Sequence, residues 1–211
     1  MIEKIKSLGI VPVVKIDDAE KAVPLAQALC RGGLPCAEIT FRTDAAEESI
    51  RRIAAELPDM LVGAGTVLTP EQADKASAAG AKFVMSPGFN PRVVRHCTEK
   101  NIPVFPGCST PTDIEQALEF GLSCVKFFPA EQAGGIAMIK ALAAPYNNIL
   151  FLPTGGINAK NLSDYLSFNR VIACGGSWMV DAALINSGDF GKIEELTREA
   201  VGLANLIKNK K

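Results

Sequence analysis

The chain predicts an α/β fold, a (β/α)8 TIM barrel in a single domain, and three observations lead there. Short apolar, β-rich runs alternate strictly with longer amphipathic stretches rich in Ala, Glu and Lys, and such alternation implies a parallel sheet. Eight such units fit into 211 residues, the size of a minimal barrel. The Gly-x-Gly-x-x-Gly turn that often follows the first strand of a doubly wound sheet is absent. No linker or shift in composition divides the chain.

Taken in order, the strands are expected over residues 10–15, 35–41, 60–66, 82–86, 102–106, 123–128, 149–154 and 170–175. Each is a short run of apolar and β-branched residues. The helices between them fall over 19–31, 45–57, 70–79, 91–100, 111–120, 136–143 and 159–167, and a long helix over 191–208 closes the count. Pro70, Pro91 and Pro111 each follow a capping residue and sit where a first-turn proline is tolerated.

Composition narrows the function. The net charge is -1 and Lys and Arg are scattered among Asp and Glu, so neither nucleic acid nor an anionic membrane is an expected partner. No apolar run approaches the ~20 residues of a membrane span, and the amino terminus carries no signal-peptide apolar region, so a cytoplasmic protein is expected. The short tail Lys208-Asn209-Lys210-Lys211 reads as a solvated end. The six cysteines form no Cys-x-x-Cys pair and read as reduced core residues. His96 is the only histidine and lies in a polar helical stretch, so neither an imidazole-based metal site nor a Ser-His-Asp triad is expected.

Barrel chemistry is found at the carboxyl ends of the strands. Nearly all polar and glycine residues of the strands gather at those ends. The most informative is Lys126, in Ser123-Cys124-Val125-Lys126-Phe127-Phe128-Pro129, a lysine on what reads as a buried strand. A lysine is seldom buried without a reason, and a buried amine is a candidate Schiff-base nucleophile. The plainer alternative is a strand-end lysine that snorkels to solvent or pairs with a carboxylate. Because side chains alternate along a strand, Glu38, Thr40 and Arg42 share one face, as do Cys124, Lys126 and Phe128. A lysine, a carboxylate to move protons and an arginine to grip a substrate carboxylate are what amine catalysis requires. A structural Glu38–Arg42 ion pair remains the alternative for those two residues. The glycine pairs in Thr154-Gly155-Gly156-Ile157-Asn158 and Gly175-Gly176-Ser177-Trp178 end the seventh and eighth strands, where barrels commonly bind phosphate through backbone N–H groups. Thr66 is open between a substrate contact and a plain strand end. Trp178 and Cys108 fit packing roles better than chemical ones.

Five segments carry a family resemblance: Gly63-Ala64-Gly65-Thr66-Val67, Ser86-Pro87-Gly88, Val125-Lys126-Phe127-Phe128-Pro129-Ala130-Glu131, Pro153-Thr154-Gly155-Gly156-Ile157 and Gly175-Gly176-Ser177-Trp178. They resemble the 2-keto-3-deoxy-6-phosphogluconate (KDPG) aldolases, a family that also cleaves 4-hydroxy-2-oxoglutarate (KHG). The likeness runs from about Ile10 through Ala204. It implies a class I aldolase, usually a homotrimer, acting on a small 2-keto acid phosphate. Lys126 would be the Schiff-base lysine and Glu38 the proton-transfer carboxylate. Arg42 and Thr66 would bind the pyruvate carboxylate, Pro87 and Phe128 would line the pyruvate pocket, and Thr154 would help line the site. Gly155, Gly156, Gly176 and Ser177 would hold the distal phosphate. No metal and no cofactor is implied, because the covalent Schiff base on Lys126 is itself the electron sink. The galactonate-derived epimer remains an alternative substrate. A sugar-phosphate isomerase or epimerase, and a catalytically silent phosphate-binding protein, are the rival readings.

Overall fold

The computed structural model describes residues 1–209, so Lys210 and Lys211 of the basic tail lie outside the described residues. The chain runs α1 (Ile2–Leu8), β1 (Ile10–Val14), a short 3-10 turn (Ala19–Lys21) leading into α2 (Ala22–Arg31), β2 (Cys36–Thr40), α3 (Ala46–Glu56), β3 (Leu61–Gly65), α4 (Pro70–Ala78), β4 (Val84–Met85), α5 (Pro91–Glu99) and β5 (Val104–Phe105). It continues through α6 (Pro111–Glu119), β6 (Cys124–Phe127), α7 (Gly135–Ala143), β7 (Leu150–Pro153), α8 (Leu162–Leu166), β8 (Cys174–Gly176), α9 (Ala182–Ser187) and α10 (Phe190–Lys208).

Local chemistry explains most boundaries. Thr69, Asn90 and Thr110 accept hydrogen bonds from the first-turn amides of α4, α5 and α6, and the proline after each occupies the first turn, where no N–H is needed. Thr110 and Asp113 complete a reciprocal capping box. Both β4 and β5 shrink to two residues. Pro103 and Pro106 flank β5 and cannot donate to a ladder, which limits its length. Two helices lie outside the sequence expectation. One is α1, whose single fully buried residue, Ile5, gives too short an apolar pattern to read. The other is α9, only six residues long.

All strand pairs are parallel. Six strands form one curled sheet in the order β5-β4-β3-β2-β1-β8, and β6 pairs with β7 separately. The expected eight-stranded ladder is therefore present only in part. Isolated bridges link the two sheets at each seam, Gly107 with Lys126 on one side and Phe151 with Val171 and Thr154 with Gly175 on the other.

Two apolar clusters hold this arrangement. The larger lies between strands and helices, and includes Ile10, Val14, Leu25, Ile39, Ile50 and Phe151. The smaller joins inward-facing strand residues, among them Val11, Cys36, Phe83, Phe105, Cys124 and Leu152, to Ile5 of α1. Glu38 follows Cys36 by two residues and Lys126 follows Cys124 by two, so both charges stand on the same inner face, nearer the carboxyl ends.

Candidate active site

Above the inner apolar cluster the strands open into a cavity of about 320 Å3, within the size range of small-molecule sites. Lys126, Glu38, Arg42, Thr66, Pro87 and Phe128 all line it, and so do Thr154, Gly155, Gly156, Gly176 and Ser177. Every residue given a catalytic or substrate-binding role by the resemblance thus meets in one place. Val13, Thr40, Ile157 and Gly175 also line it, though none of them was given a site role from the sequence. Of these, Thr40 was visible as the middle residue of the Glu38–Arg42 face.

Lys126 and Glu38 form a buried ion pair. Glu38 is 0% exposed and Lys126 5%. The lysine Nζ donates to Glu38 Oε1 at 2.9 Å and lies 3.3 Å from Oε2. The Phe128 ring centroid is 5.8 Å from the same nitrogen. A buried pair of this kind is poor evidence for stability, because desolvation offsets the attraction, and it reads better as chemistry held in place. The neighbouring strand makes room for it. A Cβ on Gly65 would lie 2.0 Å from Glu38 Oε1, and one on Gly63 would lie 2.2 Å from the Phe83 ring. Only glycine at position 65 leaves the carboxylate its space.

At one side of the pair stands the guanidinium of Arg42, exposed at the mouth. Its Nε donates to Thr40 Oγ1 at 3.0 Å, and the Thr40 hydroxyl donates to the Val14 carbonyl at 2.7 Å. That relay fixes one edge of the fork and leaves the terminal nitrogens for an anion. Thr66 sits beside it with φ of 55°, in the left-handed region that a β-branched residue rarely occupies. Such strain is found where the surrounding structure imposes it, commonly at ligand sites.

The opposite side is built from backbone. Gly155 and Gly156 have φ of 104° and 78°, and the glycines make this path accessible. The N–H groups of Gly156 and Ile157 find no acceptor among the described residues, while each is the peptide partner of a carbonyl that is engaged; the Gly155 N–H is turned toward Gly175 at the β7–β8 seam. Successive unsatisfied amides in a concave turn make an anion nest. Ser177 adds an exposed hydroxyl. Between the two ends, Thr154 Oγ1 is buried and has no hydrogen-bond partner, so it is available to a polar group of a ligand.

The remaining candidates fall where packing requires them. Trp178 lays its ring over Gly176, where a Cβ would be 1.9 Å away, so it shapes the floor of the loop and does not line the cavity. Cys108 is buried, and burial pushes its thiol well above the ordinary range, as it does those of Cys36 and Cys124. None of them is a thiolate nucleophile at neutral pH. His96 Nε2 lies 2.8 Å from Asp74 Oδ1 on the outer helices, away from the cavity. Among the described residues no three His, Cys, Asp or Glu side chains cluster as metal ligands, and no helix is long and apolar enough to cross a membrane.

Residues 1–196 match the family model for KDPG and KHG aldolase. A 2-dehydro-3-deoxy-phosphogluconate aldolase from Treponema pallidum is 52% identical over 207 residues, covering 98% of this chain and 99% of its own. The KDPG aldolase of Legionella pneumophila, solved with pyruvate captured as a covalent carbinolamine intermediate, superposes with a TM-score of 0.91 at 38% identity, covering 94% of this chain and 97% of its own. The 2-keto-3-deoxy-6-phosphogluconate aldolase of Zymomonas mobilis, solved with 3-phosphoglycerate, gives a TM-score of 0.89 at 38% identity, over 96% of this chain and 95% of its own.

Proposed function

The chain belongs to the KDPG and KHG aldolase family, and on that premise we propose that it is a class I aldolase, a carbon–carbon lyase. It reversibly cleaves 2-keto-3-deoxy-6-phosphogluconate to pyruvate and glyceraldehyde 3-phosphate. The observation that carries this reading is the Lys126 amine 2.9 Å from the Glu38 carboxylate, in a cavity with a guanidinium at one side and free amides at the other. The unphosphorylated KHG, giving pyruvate and glyoxylate, fits the same keto-acid half of the cavity.

The chemistry follows from the residues. Glu38 takes a proton from the Lys126 amine, whose lone pair then attacks the C2 carbonyl to form a carbinolamine. Glu38 returns a proton to the departing hydroxyl, water leaves, and an iminium joins Nζ to C2. Arg42 grips the C1 carboxylate with its fork and Thr66 adds a hydroxyl. When Glu38 removes the C4 hydroxyl proton, directly or through a water, the C3–C4 bond breaks. Its electron pair flows to the iminium nitrogen as an enamine, and the aldehyde departs. Glu38 then delivers that proton to the enamine methylene, and water hydrolyses the pyruvate imine to free Lys126. The iminium is the electron sink, so the route needs no cofactor. Gly155, Gly156, Gly176 and Ser177 hold the phosphate, Thr154 meets a substrate hydroxyl, and Pro87 and Phe128 pack against the pyruvate methyl.

The seam bridges support reading the eight strands as one closed (β/α)8 barrel, and the continuous core from Ile10 to Ile207 supports a single domain. Family membership supports a homotrimer working in the cytoplasm. The activity is tested by coupling pyruvate release to lactate dehydrogenase. The wild-type protein should turn over KDPG, and a chelator should leave the rate unchanged. Lys126→Arg should be inactive with its fold intact, because a guanidinium keeps its proton and cannot add to a carbonyl. Turnover by Lys126→Arg would assign the nucleophile elsewhere.

A further inference from the structure

A trans peptide is planar, so fixing a carbonyl in one direction aims the N–H of the next residue in the other. The three successive amides of this turn are aimed this way, each by an anchor on its own peptide, and two of them, Gly156 and Ile157, are free. The Thr154 carbonyl accepts from Ala130 N at 2.8 Å, which aims the Gly155 N–H at Gly175 across the seam. The Gly155 carbonyl accepts from Glu131 N at 3.1 Å, which aims the Gly156 N–H. Both of those anchors are backbone. The third differs. The Gly156 carbonyl is held by two side-chain amides, Asn161 Nδ2 at 3.1 Å and Asn158 Nδ2 at 3.2 Å, and these aim the Ile157 N–H.

Asn161 is the hub of this anchor. It occupies the N-cap position of α8, where an asparagine ordinarily accepts from its own helix. Here it makes no such bond. Its Oδ1 instead accepts from Asn158 N at 2.8 Å, while its Nδ2 reaches Gly156. The side chain has left its helix without a cap and serves the loop.

We propose that Asn161 is a positioning residue that aims the Ile157 amide at the substrate phosphate and so sets the preference for phosphorylated over unphosphorylated keto acids. Asn158 is its partner on the same carbonyl. This rests on the phosphate-binding reading given above. Without Asn161 the Gly156 carbonyl keeps only Asn158 Nδ2, whose own backbone has lost its tie to Asn161 Oδ1, and the charge-assisted hydrogen bond from Ile157 N–H is weakened or misdirected.

The test compares KDPG with KHG on wild type and on Asn161→Leu, which matches the size of asparagine and removes both of its bonds. KM for KDPG should rise so that kcat/KM falls by about tenfold, the size of one charge-assisted hydrogen bond. On KHG, kcat/KM should change by less than about twofold, since no phosphate contact is involved. Inorganic phosphate should also weaken as an inhibitor of the variant. A parallel fall on both substrates would mean a merely structural role and overturn the proposal, as would an unchanged ratio. If Asn161→Leu does not fold, Asn158→Ala removes the other donor to the same carbonyl and must move the ratio in the same direction. A wild-type enzyme that traps pyruvate but shows no preference for KDPG overturns the phosphate reading. One that neither traps pyruvate nor cleaves either acid overturns the aldolase reading itself.

Discussion

At the scale of the residue, the decisive group beside Lys126 is Glu38. It is wholly buried, both its oxygens lie near the amine, and among the described residues no other carboxylate lines the cavity. Replacing it by glutamine keeps an oxygen for the amine but removes the ability to take and return a proton. Glu38→Gln should still form an imine with pyruvate, though more slowly because the same carboxylate moves the protons of that step, while turnover falls by about 10²–10⁴-fold, the usual share of general acid–base catalysis. Rapid quench of the imine alongside steady-state rates separates the two steps, and near-normal turnover would show that another group moves the protons. Lys126, Glu38 and Arg42 were legible in the sequence because charges on apolar strands stand out against their surroundings. Thr66 was left open between a substrate contact and a strand end, and only the resemblance gave it a role, since its left-handed backbone leaves no trace in residue type. Asn161 falls inside the helix expected over 159–167, and only the structure moves it to the N-cap of α8 and reveals that it caps nothing.

Among the elements, β3 contributes to the site by what it lacks. Its upper two inward positions are Gly63 and Gly65, above Leu61, and the two absent side chains leave room for the Phe83 ring below and the Glu38 carboxylate above. The sequence flagged Gly63-Ala64-Gly65 by its place at a strand end, but which neighbour needed the space depends on the pairing of Thr40 with Gly65 and Glu38 with Gly63. Gly65→Ala puts a methyl 2.0 Å from Glu38 Oε1 and 2.5 Å from its Cγ, so the carboxylate must swing off the lysine. A displacement of about 1 Å in a catalytic group can cost roughly 10²-fold, and a fall in kcat of that order is expected with the circular dichroism spectrum unchanged. Unaltered kcat would show that the carboxylate position tolerates movement. The helices that begin with Thr-Pro or Asn-Pro were fully legible, because cap and proline are local signals. The two unexpected helices, α1 and α9, were not. Each is too short for a repeating apolar face, and α1 forms because the inner cluster needs Ile5 to close it.

Across the whole molecule, stability and chemistry occupy opposite ends of the strands. The inner cluster sealed by α1 sits below, and the charged pair, the guanidinium and the amide nest sit above it. This division is why the class of fold was legible from alternation alone while the continuity of the ladder was not. Alternation reports which elements exist, but the seams depend on strand ends shortened by proline and glycine, where pairing thins to single bridges. The same upper end concentrates every feature of the proposed reaction on one nitrogen. Incubation with pyruvate and sodium borohydride, followed by digestion and peptide mass spectrometry, reads that nitrogen directly. A reduced pyruvyl adduct on the peptide containing Lys126, with activity lost in proportion to labelling, is the expected result. Labelling of a different lysine, or an unlabelled protein that still cleaves KDPG, would contradict the Schiff-base assignment.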